Sequence, residues 1–362
     1  MKQLVVNKED LKHNINQIKS YVKKISNEDN YTVIAVVKGN GYGLGLKEYS
    51  QALVENGINY LGVATFEEAI ELRSEQKNVN ILMMSPLYNK QELEEAIKQN
   101  ITIAIDSKEN AEAVNELAGK GYNIKVHLKI DTGFGRYGFI YDDYDNILST
   151  VKSLNQNVEI EGIFTHCSDA YRKNNKHTLE QFKRFTNVIN KLEANNVKIK
   201  LKHICNSPAI LNYPEMHLTA ARIGSAFVGR VCSENNIGLK KIGELEISIA
   251  EVKSVPKDFN ISYLNSYKTK NKTKIAIIPI GYLDGYNITQ KTDMFRIADK
   301  LRRALHELKS IFKKQAITVI INEKRYKVIG TIRNVSYNSR YYRKQYKSRR
   351  YCNTRNKPII YL

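Results

Sequence analysis

The chain has 362 residues, a formal net charge of +20, 42% hydrophobic residues and 26% charged residues. That length holds one large α/β domain and a smaller one, with ample apolar material for a core. No apolar run reaches the roughly 18 residues of a membrane span, the start MKQLVVNKEDLKHNI lacks a signal core, and Cys167, Cys205, Cys232 and Cys352 form no CxxC pair, which argues against membrane insertion, a disulfide framework, structural zinc or any metal site. The protein therefore reads as cytoplasmic. The charge invites a nucleic-acid reading, but nine Lys and Arg and no acidic residue fall within 331–362. Nearly half of the net charge thus belongs to one end, and bulk charge speaks to solubility rather than chemistry.

In chain order, Leu11, Ile15, Ile18 and Val22 share one helical face over 10–22. Short apolar runs then alternate with amphipathic stretches. The runs are YTVIAVVK (31–38), YLGVA (60–64), ILMMS (81–85), ITIAID (101–106), IKVHLKID (124–131), VEIEGIFTH (158–166), IKLKHICN (199–206) and LTAARIGS (218–225). Most are apolar on both faces, as parallel strands covered by helices must be. Helices fit between them, for example over 65–75 and 107–117, each starting at Thr or Ser followed by acids. Eight such alternations predict a (β/α)8 TIM-type barrel, with a doubly wound open sheet as the alternative.

A barrel carries its chemistry at the C-terminal ends of its strands. Those ends hold Lys38, Lys129 with Asp131, His166, Asn206 with Ser207, and Arg222 with Gly224 and Ser225. Each alone suits a satisfied structural group. Together they make a converging polar mouth. Lys38 ends the apolar run of VIAVVKGNGYGLG (33–45) and precedes a glycine-spaced turn carrying Tyr42. Such a lysine is either solvated or buried with its pKa lowered, ready for a Schiff base and proton transfer at carbon.

Beyond about 240 the pattern becomes period-2, in LEISIAEVKSV, FNISYLNSY and KIAIIPIGYLDGY, which predicts a β-rich second domain. An amphipathic helix is expected over 293–313, with Phe295, Ile297, Leu301, Leu305, Leu308 and Phe312 on its buried side. A strand pair is expected over 316–330, turning at Asn322 and Glu323. The expected boundaries are 1–235 for the barrel, 236–330 for the β-rich domain and 331–362 for a basic, Tyr/Arg-rich tail. That tail reads as a nucleic-acid arm, a disordered end or the product of an altered reading frame. Intact motifs up to 330 favour the last.

With these motifs in place, the chain resembles the alanine racemases of the fold-type III pyridoxal-phosphate family. AVVKGNGYGLG is similar to that family's cofactor-lysine motif, with Gly39 and Gly41 where alanines are commoner. LKIDTGFGRYGF (128–139), GIFTHCSDA, HICNSPAIL, ARIGSAFVG, ISYLNSY and IPIGYLDGY follow in the family's order. The resemblance implies a pyridoxal 5'-phosphate cofactor and racemisation of L- and D-alanine, which supplies D-alanine for bacterial peptidoglycan. It implies Lys38 as Schiff-base lysine and one base, and Tyr263 as the second base, reaching a partner's site in a homodimer. It places the cofactor with Tyr42, His166, Asn206, Ser207, Arg222, Gly224 and Ser225, Arg222 facing the pyridine nitrogen. It places the substrate with Arg136, Lys129 and Tyr282, and makes Lys129 a candidate for carbamylation. Two departures stand out. The segment after VIG (328–330) lacks the family's usual continuation, and Leu264 replaces a glycine common after the second base. A serine or broad-specificity racemase, a racemase impaired by its altered end, and a barrel-type decarboxylase are the alternatives. A nucleic-acid or membrane partner is not expected.

Overall fold

Eight parallel strands form where the eight apolar runs lie. The computed structural model describes residues 1–26, 30–231, 233, 235, 237–286, 297, 300–302, 304, 305, 308, 317–322, 324–330 and 337–340. The chain divides into two compact units, one of Asn7–Ile242 and one of Met1–Val6 with Gly243–Leu362.

After β1 (Lys2–Val6), which belongs to the second unit, the larger unit contains β2 (Thr32–Val36), β3 (Tyr60–Val63), β4 (Asn80–Met83), β5 (Thr102–Ile105), β6 (Ile124–Asp131), β7 (Phe139–Ile140), β8 (Val158–Phe164), β9 (Leu201–His203) and β10 (Ala220–Ile223). Their order is β10-β2-β3-β4-β5-β6-β8-β9, with β7 as a short side branch on β6. The two end strands also meet. Thr219 N–H donates to Lys202 O at 3.3 Å and Arg222 N–H to Cys205 O at 2.9 Å. These bonds bring the sheet round into a nearly closed eight-stranded barrel, which sets aside the open-sheet alternative. Strands such as β3, β5 and β10 are buried at every residue, as both-face apolarity demands.

The covering helices begin where the sequence predicts. Thr65 accepts from Glu68 N–H ahead of the helix Phe66–Glu75, and Ser107 accepts from Asn110 N–H ahead of Lys108–Gly119. Such caps satisfy N–H groups that a helix start leaves without partners. Asn7 does the same for Lys8–Ile25, which buries Leu11, Ile15, Ile18 and Val22.

In the second unit, β1 pairs antiparallel with β11 (Gly243–Ile247). The strands β12 (Glu251–Val255), β13 (Asn260–Ile261), β14 (Tyr267–Lys268), β15 (Thr273–Ile278), β16 (Thr318–Ile321), β17 (Lys324–Ile329) and β18 (Tyr337–Arg340) follow. Five of them form an antiparallel sheet ordered β12-β15-β18-β17-β16. Its core holds Ile247, Ala276, Ile278, Ile280, Tyr286, Val319, Ile321 and Tyr326. The β16–β17 pair turns at Asn322, whose φ of 47° is left-handed, a conformation that Asn tolerates. Strand β18 lies inside the stretch read as an atypical tail. Its residues YNSR carry no apolar alternation, and its place comes from backbone pairing with β15 and β17. Residues 331–336 and 341–362 of that stretch lie outside the described residues, as does most of 293–313. Within 293–313, the described Ile297, Leu301, Leu305 and Leu308 are exposed rather than buried.

The short β13–β14 pair frames a loop, 262–266, that carries Tyr263. Ser262, Leu264 and Asn265 all have positive φ there. For Leu264, at φ 58° and 90% exposed, no buried contact offsets the clash of Cβ with its own carbonyl, a cost of roughly 1–2 kcal/mol. Leu264→Gly is therefore expected to stabilise the protein by about 1 kcal/mol, read as a higher urea midpoint at unchanged slope. An unchanged or lower midpoint would contradict the strain.

Candidate active site

Lys38 leaves the end of β2 and enters an unusual turn. Gly39, Asn40, Gly41, Tyr42 and Gly43 have φ of 66°, 51°, 63°, 57° and 83°, five consecutive residues in left-handed conformation. Glycine holds this conformation at no steric cost, which gives a physical meaning to Gly39 and Gly41 where the family commonly has alanine. Glu68 clamps the turn. Its carboxylate accepts from Gly39 N–H at 2.5 Å and Asn40 N–H at 3.1 Å, and from Ala64 N–H at 3.3 Å. The loop pattern alone gave no hint of Glu68. It sits one strand and one helical turn away.

The turn aims Tyr42 at the end of β10, where a Cβ on Gly224 would fall 2.1 Å from the Tyr42 hydroxyl. Only glycine leaves room there. Ser207 Oγ accepts from Gly224 N–H at 3.0 Å and Ala226 N–H at 3.2 Å. Asn206 spends its side-chain oxygen capping the helix Ser207–Asn212, accepting from Ala209 N–H. Ser225, between the two N–H donors, is half-buried. Hydroxyls and main-chain N–H groups thus gather in one place, as an anion site requires.

Asp131 organises the neighbouring loop. Its carboxylate accepts from the N–H groups of Gly133, Phe134, Gly135 and Arg136. Burial opposes its ionisation, yet these donors outweigh burial and hold the carboxyl below its usual range. The loop presents Arg136, whose guanidinium lies 4.4 Å from the Phe134 ring centroid. Phe134 in turn meets His166 edge-on at 5.2 Å. Lys129, buried on β6, donates to Met84 O at 2.9 Å and lies over the rings of Tyr137 and Phe164.

Arg222 sits deeper, on β10, only 4% exposed. Nη1 donates to His203 Nδ1 at 2.7 Å and His203 O at 2.9 Å. Nη2 donates to Thr165 O at 2.6 Å and faces His166 Nδ1 at 3.4 Å.

The electrostatics follow from this crowding. Burial and then Arg136 hold the Lys38 amine below its ordinary value; Glu68 opposes them, and Arg222 adds a smaller push downward. Burial, then Arg136 and Arg222, pushes Lys129 down to about 8. Burial and then Arg222, Arg136, Lys38 and Lys129 push His166 down to about 3, so it is neutral. Burial lowers Arg222 itself to about 10. Among the described residues, the ion pairs involve none of Lys38, Lys129, Arg136 and Arg222. Four cationic side chains thus share one mouth without a carboxylate ion pair of their own; Lys129 and Arg222 are buried, where an unanswered charge is costly, while Lys38 and Arg136 are exposed, and the set favours an anionic occupant.

Ten of the residues singled out from the sequence lie in the barrel unit, at or just beyond its strand ends: Lys38, Tyr42, Lys129, Arg136, His166, Asn206, Ser207, Arg222, Gly224 and Ser225. Tyr263 and Tyr282 lie in the other unit. Tyr263 is 67% exposed in its strained loop, and Tyr282 opens a short turn closed by Asp284, which accepts from Gly281 N–H.

Residues 6–231 match the family model described as alanine racemase, N-terminal domain, and residues 242–338 match alanine racemase, C-terminal domain. That second match, like β18, runs past the glycine at 330. The chain is 37% identical over 283 residues to the alanine racemase of Methanococcus maripaludis, covering 76% of this chain and 74% of that protein. It is 37% identical over 284 residues to the alanine racemase of Clostridium tetani, covering 76% and 71%. The solved alanine racemase of Clostridium difficile 630 superposes with a TM-score of 0.80 at 27% identity, covering 99% of this chain and 86% of that one.

Gly224→Ala tests the anion site directly. The new methyl must displace the Tyr42 hydroxyl, and loss of one such hydrogen bond corresponds to about a tenfold weaker hold on a phosphate-bearing ligand. Titration of pyridoxal 5'-phosphate into variant and parent, followed by absorbance, is expected to show that weakening with the fold intact by circular dichroism. Equal affinities would mean Tyr42 and Gly224 do not face the phosphate.

Proposed function

The chain belongs to the alanine racemase family, and on that premise we propose that it interconverts L- and D-alanine with pyridoxal 5'-phosphate, through Lys38 and Tyr263 as two bases. The single observation that carries the reading is the anion-demanding mouth, with a lysine of lowered pKa at its centre. The residues present fit the cofactor. Tyr42, Ser207 and Ser225 would hold its phosphate beside Gly224, Arg222 its pyridine nitrogen, and His166 its ring face, with Asn206 capping the helix that begins at Ser207. Arg136 would take the substrate carboxylate, and Tyr282 would line the entrance.

Bound in this way, the cofactor supplies an electron-withdrawing ring that makes the α-hydrogen of a linked amino acid acidic. The residues do the rest. Lys38 Nζ would link to the cofactor when substrate is absent and would move the proton at Cα on one face. Burial and the neighbouring Arg136 hold its pKa below the ordinary lysine value, which makes the neutral amine that a base needs easier to reach. Tyr263 Oη moves the proton on the opposite face. Racemisation requires this pairing, because a single base returns the proton to the side it left. Arg222 stays cationic and can only donate, so it would hold the pyridine nitrogen as an acceptor. That would moderate the ring's pull on electrons and disfavour transamination. The neutral fraction of Lys129 suits reaction with carbon dioxide, and the carbamate would pair with Arg136.

The exposure of Tyr263 in its own chain supports a homodimer in which it serves a partner's site. The product D-alanine would supply peptidoglycan synthesis.

Lys38→Ala is expected to abolish both racemisation and the borohydride-reducible adduct, read by mass spectrometry of the full chain. An adduct persisting on another lysine would overturn the assignment. In deuterated water, Tyr263→Phe is expected to slow racemisation by roughly 10²–10⁴-fold, while one enantiomer still exchanges its α-hydrogen. Equal loss of exchange from both enantiomers would count against two bases.

A further inference from the structure

Beneath Arg222 the barrel interior holds a continuous line of polar side chains that the reaction above does not use. Arg222 Nη1 meets His203 Nδ1 at 2.7 Å. His203 Nε2 meets His127 Nδ1 at 2.8 Å. His127 Nε2 meets Glu161 Oε2 at 3.1 Å. Both histidines are fully buried, and Glu161 is 7% exposed. The four residues come from β10, β9, β6 and β8, so only the closed barrel brings them together.

The two ends of the line fix its direction. A guanidinium can only donate and a carboxylate can only accept. His203 Nδ1 must therefore be bare and its Nε2 protonated. It then donates to a bare His127 Nδ1, which leaves the proton on His127 Nε2 to reach Glu161. One arrangement of protons satisfies every contact. A second proton on either ring would set two donors face to face. Burial and the nearby Arg222 keep both imidazoles neutral in agreement with this, against the opposing pull of Glu161 on His127.

The backbone is shaped to deliver Glu161 to this line. Along β6 and β8, Val126 pairs with Ile160 while the next residue, His127, pairs with Gly162. Glu161 is the extra residue of a β-bulge, a device that re-aims a side chain. A Cβ on Gly162 would fall 2.7 Å from His127 Cε1, so glycine is needed for the ring to fit. Tyr60 donates to the same carboxylate oxygen, and Lys125 lies 3.4 Å from the other.

We propose that Glu161 is a positioning residue that, through His127 and His203, fixes the acceptor nitrogen against which Arg222 is oriented toward the cofactor's pyridine nitrogen. The part concerning the cofactor rests on the proposed function. The proton arrangement is a property of the chain alone. A packing role for Glu161 needs only its volume, whereas a positioning role needs an acceptor, and Gln retains one where Leu does not.

The test uses the full chain labelled with 15N-histidine, prepared first without pyridoxal 5'-phosphate. Long-range 1H–15N spectra are expected to show His127 and His203 as neutral Nε2–H tautomers, retained in Glu161→Gln and lost in Glu161→Leu. After loading, Glu161→Leu is expected to shift the cofactor's absorption band and to lower kcat at least tenfold, with KM for alanine changed less than threefold. Glu161→Gln is expected to recover most of both. Nδ1–H tautomers in the parent protein, or tautomers unchanged in a folded Glu161→Leu, would overturn the proposal. So would Leu and Gln variants with equal spectra and equal kcat. A chain that takes up no cofactor would fail the proposed function while leaving the tautomer result readable.

Discussion

Arg222 is a full positive charge held inside a barrel, and much of the surrounding structure exists to keep it there. A guanidinium out of water must have its donors satisfied and its charge answered. Two carbonyls and two imidazoles take the donors of Nη1 and Nη2. The charge is answered only indirectly, by Glu161 at the far end of the buried line and by whatever anion or acceptor enters from above. Barrel closure is therefore more than architecture here. The bonds that join β9 to β10 set His203 beside Arg222, and the bulge in β8 sets Glu161 beneath His127. An open sheet with the same strands could not assemble this line.

The same economy governs Lys38. A lysine amine at a strand end would ordinarily reach for water, which keeps it protonated. Here the chain turns left-handed at once, which folds Tyr42 back over Gly224 and leaves Lys38 partly exposed at a cation-rich mouth. Such a turn costs energy at every residue with a side chain, so the two glycines and the Glu68 clamp share the task of holding it. Glu68 also supplies the one opposing charge that keeps Lys38 from losing its proton too readily.

Legibility from the sequence followed locality. The eight barrel strands were visible because each is apolar on both faces over a short run, and the helix starts because Thr65 and Ser107 act within three residues. The strand-end residues could be gathered because the barrel rule puts all strand ends on one face. Strand β18 was invisible: YNSR has no period-2 pattern, and only neighbours distant in sequence define it. His127, His203 and Glu161 read as blemishes in apolar runs, since their meaning lies in contacts 19 to 76 residues away in sequence. The exposed Ile297, Leu301, Leu305 and Leu308 show the converse failure. Periodicity reports that a helix has an apolar face, not that its own chain covers it.

Tyr263 adds a further constraint. Under the proposed function the base opposite Lys38 would be carried outside the barrel unit, on the loop 262–266, whose largely exposed residues suit presentation rather than packing. Three residues with positive φ, Ser262, Leu264 and Asn265, around one exposed tyrosine are hard to maintain unless that geometry is used, since strain of this kind persists where a site exploits it. Leu264 sits awkwardly in that scheme. Its bulk gains nothing from burial and its conformation favours glycine, so its retention is consistent with a contact made outside the single chain. The two bases of the proposed reaction would thus be held differently. Lys38 follows a barrel strand into a left-handed turn clamped by Glu68, whereas Tyr263 rides on a short loop strained at three of its residues.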